Sequence, residues 1–110
     1  MAKYVMFFSY KPEVWNQLLM KPWDRPAAVR DMPSTLGGAM ESLYHMSGDR
    51  DGFVVIDVPD SETAAAAAIA VTSTGAFAHF ETRRVISAEE MPEILERAAS
   101  ARESYRPPGQ

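Results

Sequence analysis

The side chains best suited to exchange protons in this chain are its two histidines, His45 and His79. Imidazole titrates near neutral pH, and a neighbouring carboxylate can orient it or receive its proton. Each histidine lies in a segment of alternating polar residues, and other charged side chains recur in the same way. These are Glu41 before His45, Asp57 in the next segment, and Glu81 and Arg83 after His79. Brought together on one surface, this set would support acid–base chemistry or hold a polar ligand group.

Strand periodicity predicts that these residues share one face of a sheet, because alternate side chains of a strand point to opposite faces. Val54, Ile56 and Val58 are predicted to lie under helices, which leaves Phe53 and Asp57 on the open face. The other residues expected on that face are Glu41, Leu43 and His45 in one strand, Val55 beside Phe53, and Phe77, His79, Glu81, Arg83 and Val85 in another. Such a large apolar share predicts a partner or a ligand there, although a solvated polar face has a similar pattern.

Further side chains near these rows extend the candidate ligand site. Tyr44 can donate a hydrogen bond to a carbonyl or phenolate, and Phe53 offers an aromatic wall. A metal site of two histidines and one carboxylate can be drawn from His45, His79 and either Glu81 or Asp57, but no local spacing specifies it. We predict no resident metal or cofactor, since the sequence has no cysteine, phosphate loop or metal motif.

Four strands and three helices are predicted to position these side chains. The apolar run from Val5 to Phe8 indicates a central strand, and Pro12 and Glu13 are typical of a helix start. Asp60 is a predicted N-cap for an alanine-rich helix that ends at Gly75, and Ser87 with Glu90 forms a capping box for the last helix. The predicted strands are Lys3–Tyr10, Ala39–Met46, Phe53–Val58 and Phe77–Ile86.

This order of elements predicts an α+β, ferredoxin-like βαββαβ sandwich with a C-terminal helix. One domain is expected over residues 1–101, followed by an extended, proline-containing tail over 102–110. Prolines between Asp24 and Leu36 predict a broken helical connection. Trp15 and Trp23 flank it, and either the connection forms a lid over one mouth of the pocket or both rings cover the core between helices and sheet.

Composition excludes several classes of function. The net charge is −4 and no basic run is present, so we expect no nucleic-acid partner. The sequence contains no run of eighteen apolar residues, so we expect no membrane-spanning helix. The short apolar segment after Met1 is unlike a secretory signal. With no cysteine, the chain suits the reducing cytoplasm, which is its expected location.

Several short segments together resemble the GYD-domain proteins. They are Met1-Ala2-Lys3-Tyr4, Ser9-Tyr10-Lys11-Pro12-Glu13, Leu36-Gly37-Gly38, Glu41-Ser42-Leu43-Tyr44, Gly48-Asp49-Arg50-Asp51, Val58-Pro59-Asp60, Thr82 and Ser87-Ala88-Glu89-Glu90. The resemblance extends to about Ala98 and implies a ferredoxin-like fold that pairs as a dimeric α/β barrel, in a small bacterial or archaeal protein. Two residues depart from the family pattern: Arg50 replaces a typical tyrosine, and Lys11 replaces a common helix-capping serine or threonine.

The wider barrel group to which this resemblance points includes monooxygenases without cofactors, isomerases, heme enzymes and effector-binding domains, so the fold alone does not select a function. We favour a homodimer that binds an apolar or aromatic small molecule in a cavity on the open face of the sheet. The alternative is a cofactor-independent isomerase, cyclase or monooxygenase with His45 or His79 as proton shuttle. A subunit that only binds other proteins is a third possibility, and it would need no cavity.

Overall fold

The computed structural model describes residues 1–21 and 31–110. Its strands are β1 (Ala2–Tyr10), β2 (Ala39–His45), β3 (Gly52–Val58) and β4 (Phe77–Val85), and its helices are α1 (Pro12–Met20), α2 (Ser61–Thr72) and α3 (Met91–Ser104). A further helical stretch covers residues 31–35. Trp23 and the first part of the predicted broken connection lie outside the described residues.

The four strands form one sheet in the order β2-β3-β1-β4, and every neighbouring pair is antiparallel. This order, with crossovers through the helical segments, is that of the ferredoxin-like fold. The predicted α+β class and the central position of the first strand are therefore confirmed. Strands β1 and β3 lie at the middle of the sheet, where they position side chains for both of its faces.

The core lies between the sheet and the helices, on the face that strand periodicity predicted. Met6 and Ile56 alternate with half-buried neighbours along β1 and β3, and both are almost fully buried. Ala64 and Ala67 of α2 pack against these strand residues and complete the core. Because alanine side chains are small, the helix can lie near the sheet. The opposite face is free of helices within the described part of the chain.

The helix ends follow the predicted signals. Pro12 stands in the first turn of α1, while Lys11 before it makes no side-chain capping bond. Asp60 accepts from the backbone N–H of Thr63 at 2.8 Å and from its hydroxyl at 2.6 Å, which lowers the pKa of the Asp60 carboxyl. After α2, Gly75 adopts a φ of 78°, a conformation that favours glycine. These local signals fix where the crossovers begin and end.

One irregularity in β2 corrects the predicted face of that strand. Met40 pairs with Ile56 and Ser42 with Val55, so the register shifts at Glu41. An extra residue in one strand moves every later side chain to the other face. The second half of β2 is consequently inverted: Leu43 and His45 lie on the helix side, and Ser42 and Tyr44 lie on the open face.

A second irregularity inverts the start of β4. The pairing shifts between Ser9 and Tyr10, so Tyr10 lies opposite Phe77. Phe77 stacks on Tyr10 with ring centroids 5.4 Å apart and belongs to the helix side, so its predicted place on the open face is wrong. Beyond the shift, the row of alternate residues that starts at His79 lies on the open face as predicted.

The hydrogen bonds of the predicted capping box are present, but they close the turn just before the last helix, whose N-cap is Glu90 rather than Ser87. Ser87 donates to the Glu90 carboxylate from both its N–H (3.2 Å) and its hydroxyl (3.1 Å), and the Glu90 N–H donates back to the hydroxyl. The helix itself runs from Met91 to Ser104, so the predicted tail begins three residues later than expected. Arg102 and Glu103 are good helix formers, and the backbone becomes extended at Tyr105, just before a proline-containing end.

Acid should weaken the start of α3. Arg84 donates to Glu90 at 2.7 Å, and together with the bonds from Ser87 this lowers the pKa of Glu90 to about 2. A carboxylate with a lowered pKa contributes its full stabilisation above its ordinary pKa of 4.5 and loses it as the pH falls towards about 2. We expect helicity measured by far-UV circular dichroism to fall across this range, and to fall less in Glu90→Gln. The neighbouring Glu89→Gln variant should keep the wild-type slope, and an unchanged slope in Glu90→Gln would contradict the assignment.

Candidate functional site

The open face of the sheet has an apolar centre. Val5 and Phe7 of β1 lie opposite Val55 and Phe53 of β3, and Tyr44 of β2 lies beside them. The Phe7 and Phe53 rings are 5.9 Å apart, and Tyr44 stacks on Phe53 at 5.6 Å. Tyr44 is 60% exposed, and the other four side chains are half-buried. A contiguous aromatic and aliphatic surface of this kind usually contacts a partner or a ligand.

A group of three charged residues lies at one corner of this centre. Lys3 donates to Asp57 at 3.1 Å and to Glu41 at 3.1 Å, which joins three strands across the face. The hydrogen bond to Asp57, followed by the one to Glu41, raises the pKa of Lys3. Glu41 and Asp57 are therefore brought together as predicted, but they neutralise a lysine rather than accompany a histidine.

A second charged group runs along the edge strand β4. Glu81 is its centre: Arg83 donates to one carboxylate oxygen at 3.1 Å, while His79 Nε2 and Arg50 Nε face the other at 3.6 and 3.5 Å. Arg50 comes from the β2–β3 loop, which crosses the end of β1 to reach β4. The structure thus brings together His79, Glu81 and Arg83, which the sequence predicted, with Arg50, which marks the departure from the family pattern.

Two nitrogen atoms in this group lack a full hydrogen bond. Arg50 Nε and His79 Nε2 are shielded from solvent and have no hydrogen-bond partner among the described residues, because both distances to Glu81 are too long. Partial burial by itself would raise the pKa of Glu81, but the hydrogen bond from Arg83 and the nearby positive charges lower it overall. Glu81 is therefore held as a carboxylate beside Arg50, His79 and Arg83.

A shallow pocket of about 410 Å³ adjoins this charged group. Phe7 and Met46 form its apolar wall, and Ser47, Asp49, Arg50 and Glu81 supply its polar rim. Binding sites for small molecules typically combine an apolar wall with a few converging polar groups. This corner of the open face has both components.

His45 lies on the opposite face, so its predicted place beside His79 is wrong. It lies opposite Gly52, where its ring is edge-on to Phe8 at 5.9 Å and its Nε2 is 3.4 Å from the Tyr10 hydroxyl. A side chain at position 52 would meet the Phe8 ring at 2.6 Å, so glycine is required for this packing. The bulge at Glu41 is the physical cause of the inversion.

Neither a two-histidine relay nor a two-histidine metal site is assembled. The sheet separates His45 from His79, so no ligand on one face can contact both. Across residues 1–21 and 31–110, no three His, Asp or Glu side chains are arranged to hold a metal ion. Of the two histidines, His79 is the one on the open face, with Glu81 as its carboxylate neighbour for proton transfer.

A more enclosed cavity of about 380 Å³ lies on the helix side, between the sheet and α2. Its wall is made of core side chains such as Met6, Ile56 and Phe80, and none of the described residues that line it is ionisable. It can accommodate an apolar group, but the described part of its wall has no charged or acid–base side chain with which to orient or transform one. The open face, in contrast, combines apolar and ionisable groups.

Three residues that contribute to the site were not predicted from the sequence. Lys3 and Phe7 were missed because the run from Val5 to Phe8 indicated a strand buried on both faces. Asp51 is the third: its carboxylate accepts from the Tyr10 backbone N–H at 2.8 Å and from the Trp15 indole N–H at 3.1 Å. An aspartate directly before a strand, with a tryptophan one helical turn into α1, is the only sequence signal for this contact.

The fold and the site define a ferredoxin-like α+β protein with one helix-covered face and one open, partly aromatic face. Comparison with protein-family models matches the GYD domain over residues 4–95, and the chain belongs to this family. A search of curated proteins finds no match to the chain. In the described segments, no helix has both the length and the apolar character needed to span a membrane.

Proposed function

We propose that this GYD-domain protein is a homodimer that binds an apolar or aromatic small molecule between two open sheet faces, in the manner of a dimeric α/β barrel. The apolar centre of the open face supports this proposal most strongly. Val5, Phe7, Phe53 and Val55 form a continuous patch that no described helix covers. Soluble oligomers are most often symmetric dimers, so a second copy is the natural cover for such a patch.

The polar groups around the patch suggest how a ligand would be oriented. A flat aromatic body can stack on Phe53 and Tyr44, whose rings already lie nearly parallel. A carbonyl or hydroxyl oxygen at the edge of the ligand can accept from the guanidinium of Arg50, whose side chain lines the pocket and is 34% exposed. Glu41 and Asp57 border the same chamber, where both are ion-paired with Lys3.

The remaining expectations on partners and location agree with this proposal. An acidic chain with a net charge of −4 would repel a phosphate backbone, so we propose no nucleic-acid partner. A chain without cysteine suits the cytoplasm, where small metabolites are accessible to it.

Fluorescence of N-phenyl-1-naphthylamine, a neutral aromatic probe, tests the position of the ligand. We expect the wild-type dimer to bind the probe, and Phe7→Ala to weaken binding at least about tenfold by removing the aromatic wall of the pocket. The matched control is Ala70→Phe, which fills the helix-side cavity instead and should leave affinity within about twofold. Sedimentation of each variant confirms that it is still a dimer.

Two results would contradict the proposal. If Ala70→Phe abolishes binding while Phe7→Ala does not, the ligand lies in the helix-side cavity. If the wild-type dimer does not bind the probe at all, the open face is not an aromatic binding chamber.

A second candidate function is favoured by the His79–Glu81 pair. A histidine held near a carboxylate on an apolar face can move a proton to or from a bound aromatic ketone or phenol without a cofactor. This would make the protein an isomerase, cyclase or monooxygenase with His79 as the proton shuttle. The two candidates differ in one observable, because a binding protein releases its ligand unchanged and an enzyme does not.

A further inference from the structure

The C-terminal helix α3 lacks a packing surface within its own protomer. It buries none of its 14 residues, and it packs extensively against no other described element. A short tether at its start, through the Arg84–Glu90 ion pair and half-buried Met91, fixes the helix to the end of β4. The rest of α3 projects away from the domain.

This helix nevertheless carries an apolar stripe. Met91, Ile94, Leu95 and Ala98 recur at helical spacing, and Leu95 is 58% exposed. Tyr105, directly after the end of the helix, is 63% exposed. The opposite side of the helix is polar, with an ion pair between Arg97 and Glu93 at 3.0 Å. The helix is therefore amphipathic, and helices of this type usually bury their apolar face against another surface.

The physics of isolated helices makes a partner necessary. Helices shorter than about 12 to 15 residues are marginal in water even with the best sequences, and most helices in proteins are stabilised by packing of their apolar face. The dimensions of the molecule agree with an unpacked arm: its radius of gyration is 17.8 Å and its longest extent 60 Å, against about 13 Å expected for the radius of a compact domain of this length.

The size of the proposed dimer interface favours a second copy of this chain as the partner of α3. Four strands at a spacing of about 4.8 Å, each contributing about seven residues, give the open face a footprint of about 440 Å². Each partner in an interface of standard size buries about 800 Å². A 14-residue helix is about 21 Å long and about 10 Å wide. If each copy docks its own α3 on the other copy and accepts the other copy's α3 in return, the interface gains about 400 Å² per copy. The two contributions together reach the standard size.

We propose that the apolar stripe of α3 docks on a second copy of this chain. Each copy then contributes its α3, the exchanged arm, to the surface of the other, and the two arms stabilise the dimer. The inference rests on the proposed dimer and adds the surface that makes it stable. Ile94, Leu95 and Ala98 become buried on the partner, while Met91 and the Arg84–Glu90 pair fix the direction in which each helix leaves its own domain.

Sedimentation velocity on full-length variants tests this inference. Leu95→Lys places a charge in the middle of the stripe, and Ser100→Lys places the same charge on the opposite side of the helix. We expect Leu95→Lys to weaken dimerisation at least about tenfold and Ser100→Lys to leave it within about twofold. Since Leu95 has no packing role inside the protomer, both variants should fold, and Ile94→Lys provides a second substitution on the stripe.

The outcomes separate the arm from the dimer itself. If the wild-type chain is a dimer and neither Leu95→Lys nor Ile94→Lys weakens it relative to Ser100→Lys, the arm exchange is overturned and the proposed function survives. A monomeric wild-type chain would overturn both proposals. Only weakening that is confined to the stripe supports the exchanged arm.

Discussion

Val55→Lys is expected to convert the proposed dimer to monomers, with the dissociation constant raised at least about a hundredfold. Val55 lies at the centre of the open face, opposite Val5. In a symmetric dimer one substitution introduces two charges, and each would be removed from water without a partner. The loss of two buried valine side chains adds to this cost. Sedimentation velocity over a range of protein concentrations measures the effect.

The matched control for this variant is Ala66→Lys, which adds the same side chain to the exposed side of α2. It should sediment as the wild-type protein does. In the monomer, the ammonium group that Val55→Lys introduces can reach solvent from the half-buried position, so the fold should persist. Equal association of Val55→Lys and Ala66→Lys would show that copies do not meet through the open face.

Asp51→Ala is expected to reduce the free energy of unfolding by about 2 to 3 kcal/mol. Its carboxylate accepts from the backbone N–H of Tyr10 and from the indole of Trp15. A hydrogen bond to a charged acceptor contributes about 1.5 to 3 kcal/mol, and the Trp15 bond adds little to this because it is exposed to solvent. Removing the acceptor also leaves the Tyr10 N–H without that bond at the end of a central strand. Urea unfolding at one fixed protein concentration measures the change, since the proposed dimerisation would make stability depend on concentration.

Asp49→Ala provides the control for this loop. Ser9 and Arg50 donate to the backbone carbonyl of Asp49, which the substitution retains. We expect a change within about 0.5 kcal/mol, as for ordinary surface positions. If both variants lose the same stability, the loop as a whole matters and the Asp51 carboxylate has no special part.

The central strands could be predicted well because a single physical signal defines them. Val54, Ile56 and Val58 alternate with residues of the open face, and the helix-covered core demands that alternation. The same rule placed His79 and Glu81 correctly on the edge strand. The local hydrogen bonds predicted at Asp60 and Ser87 are also present, because each depends on atoms only a few residues apart.

The second strand could not be predicted in the same way, because a bulge changes which side chains share a face without changing composition. The one available signal was the spacing of Met40 and Leu43, two apolar residues separated by an odd number and both on the core side. Strict alternation cannot place both there, so an extra residue between them is required. Missing it moved His45 to the wrong face and produced the predicted two-histidine site.

Contacts between distant segments were also beyond the sequence pattern. Arg50 reaches Glu81 because the β2–β3 loop folds over the end of β1, and no periodicity specifies that path. For α3, the pattern correctly gave an amphipathic helix, but it does not say which molecule the apolar stripe contacts. Such information depends on the three-dimensional arrangement and on the assembly.

Isotope-filtered nuclear Overhauser spectroscopy on a mixed sample of ¹³C-labelled and unlabelled protein tests the central claim most directly. It detects only contacts between two different copies. Packing of the open faces predicts cross-peaks from the side chains of Val5, Phe7, Phe53 and Val55 to the unlabelled copy. Cross-peaks confined to α1 or α2, with none from these four residues, would contradict a dimer built on the open face of the sheet.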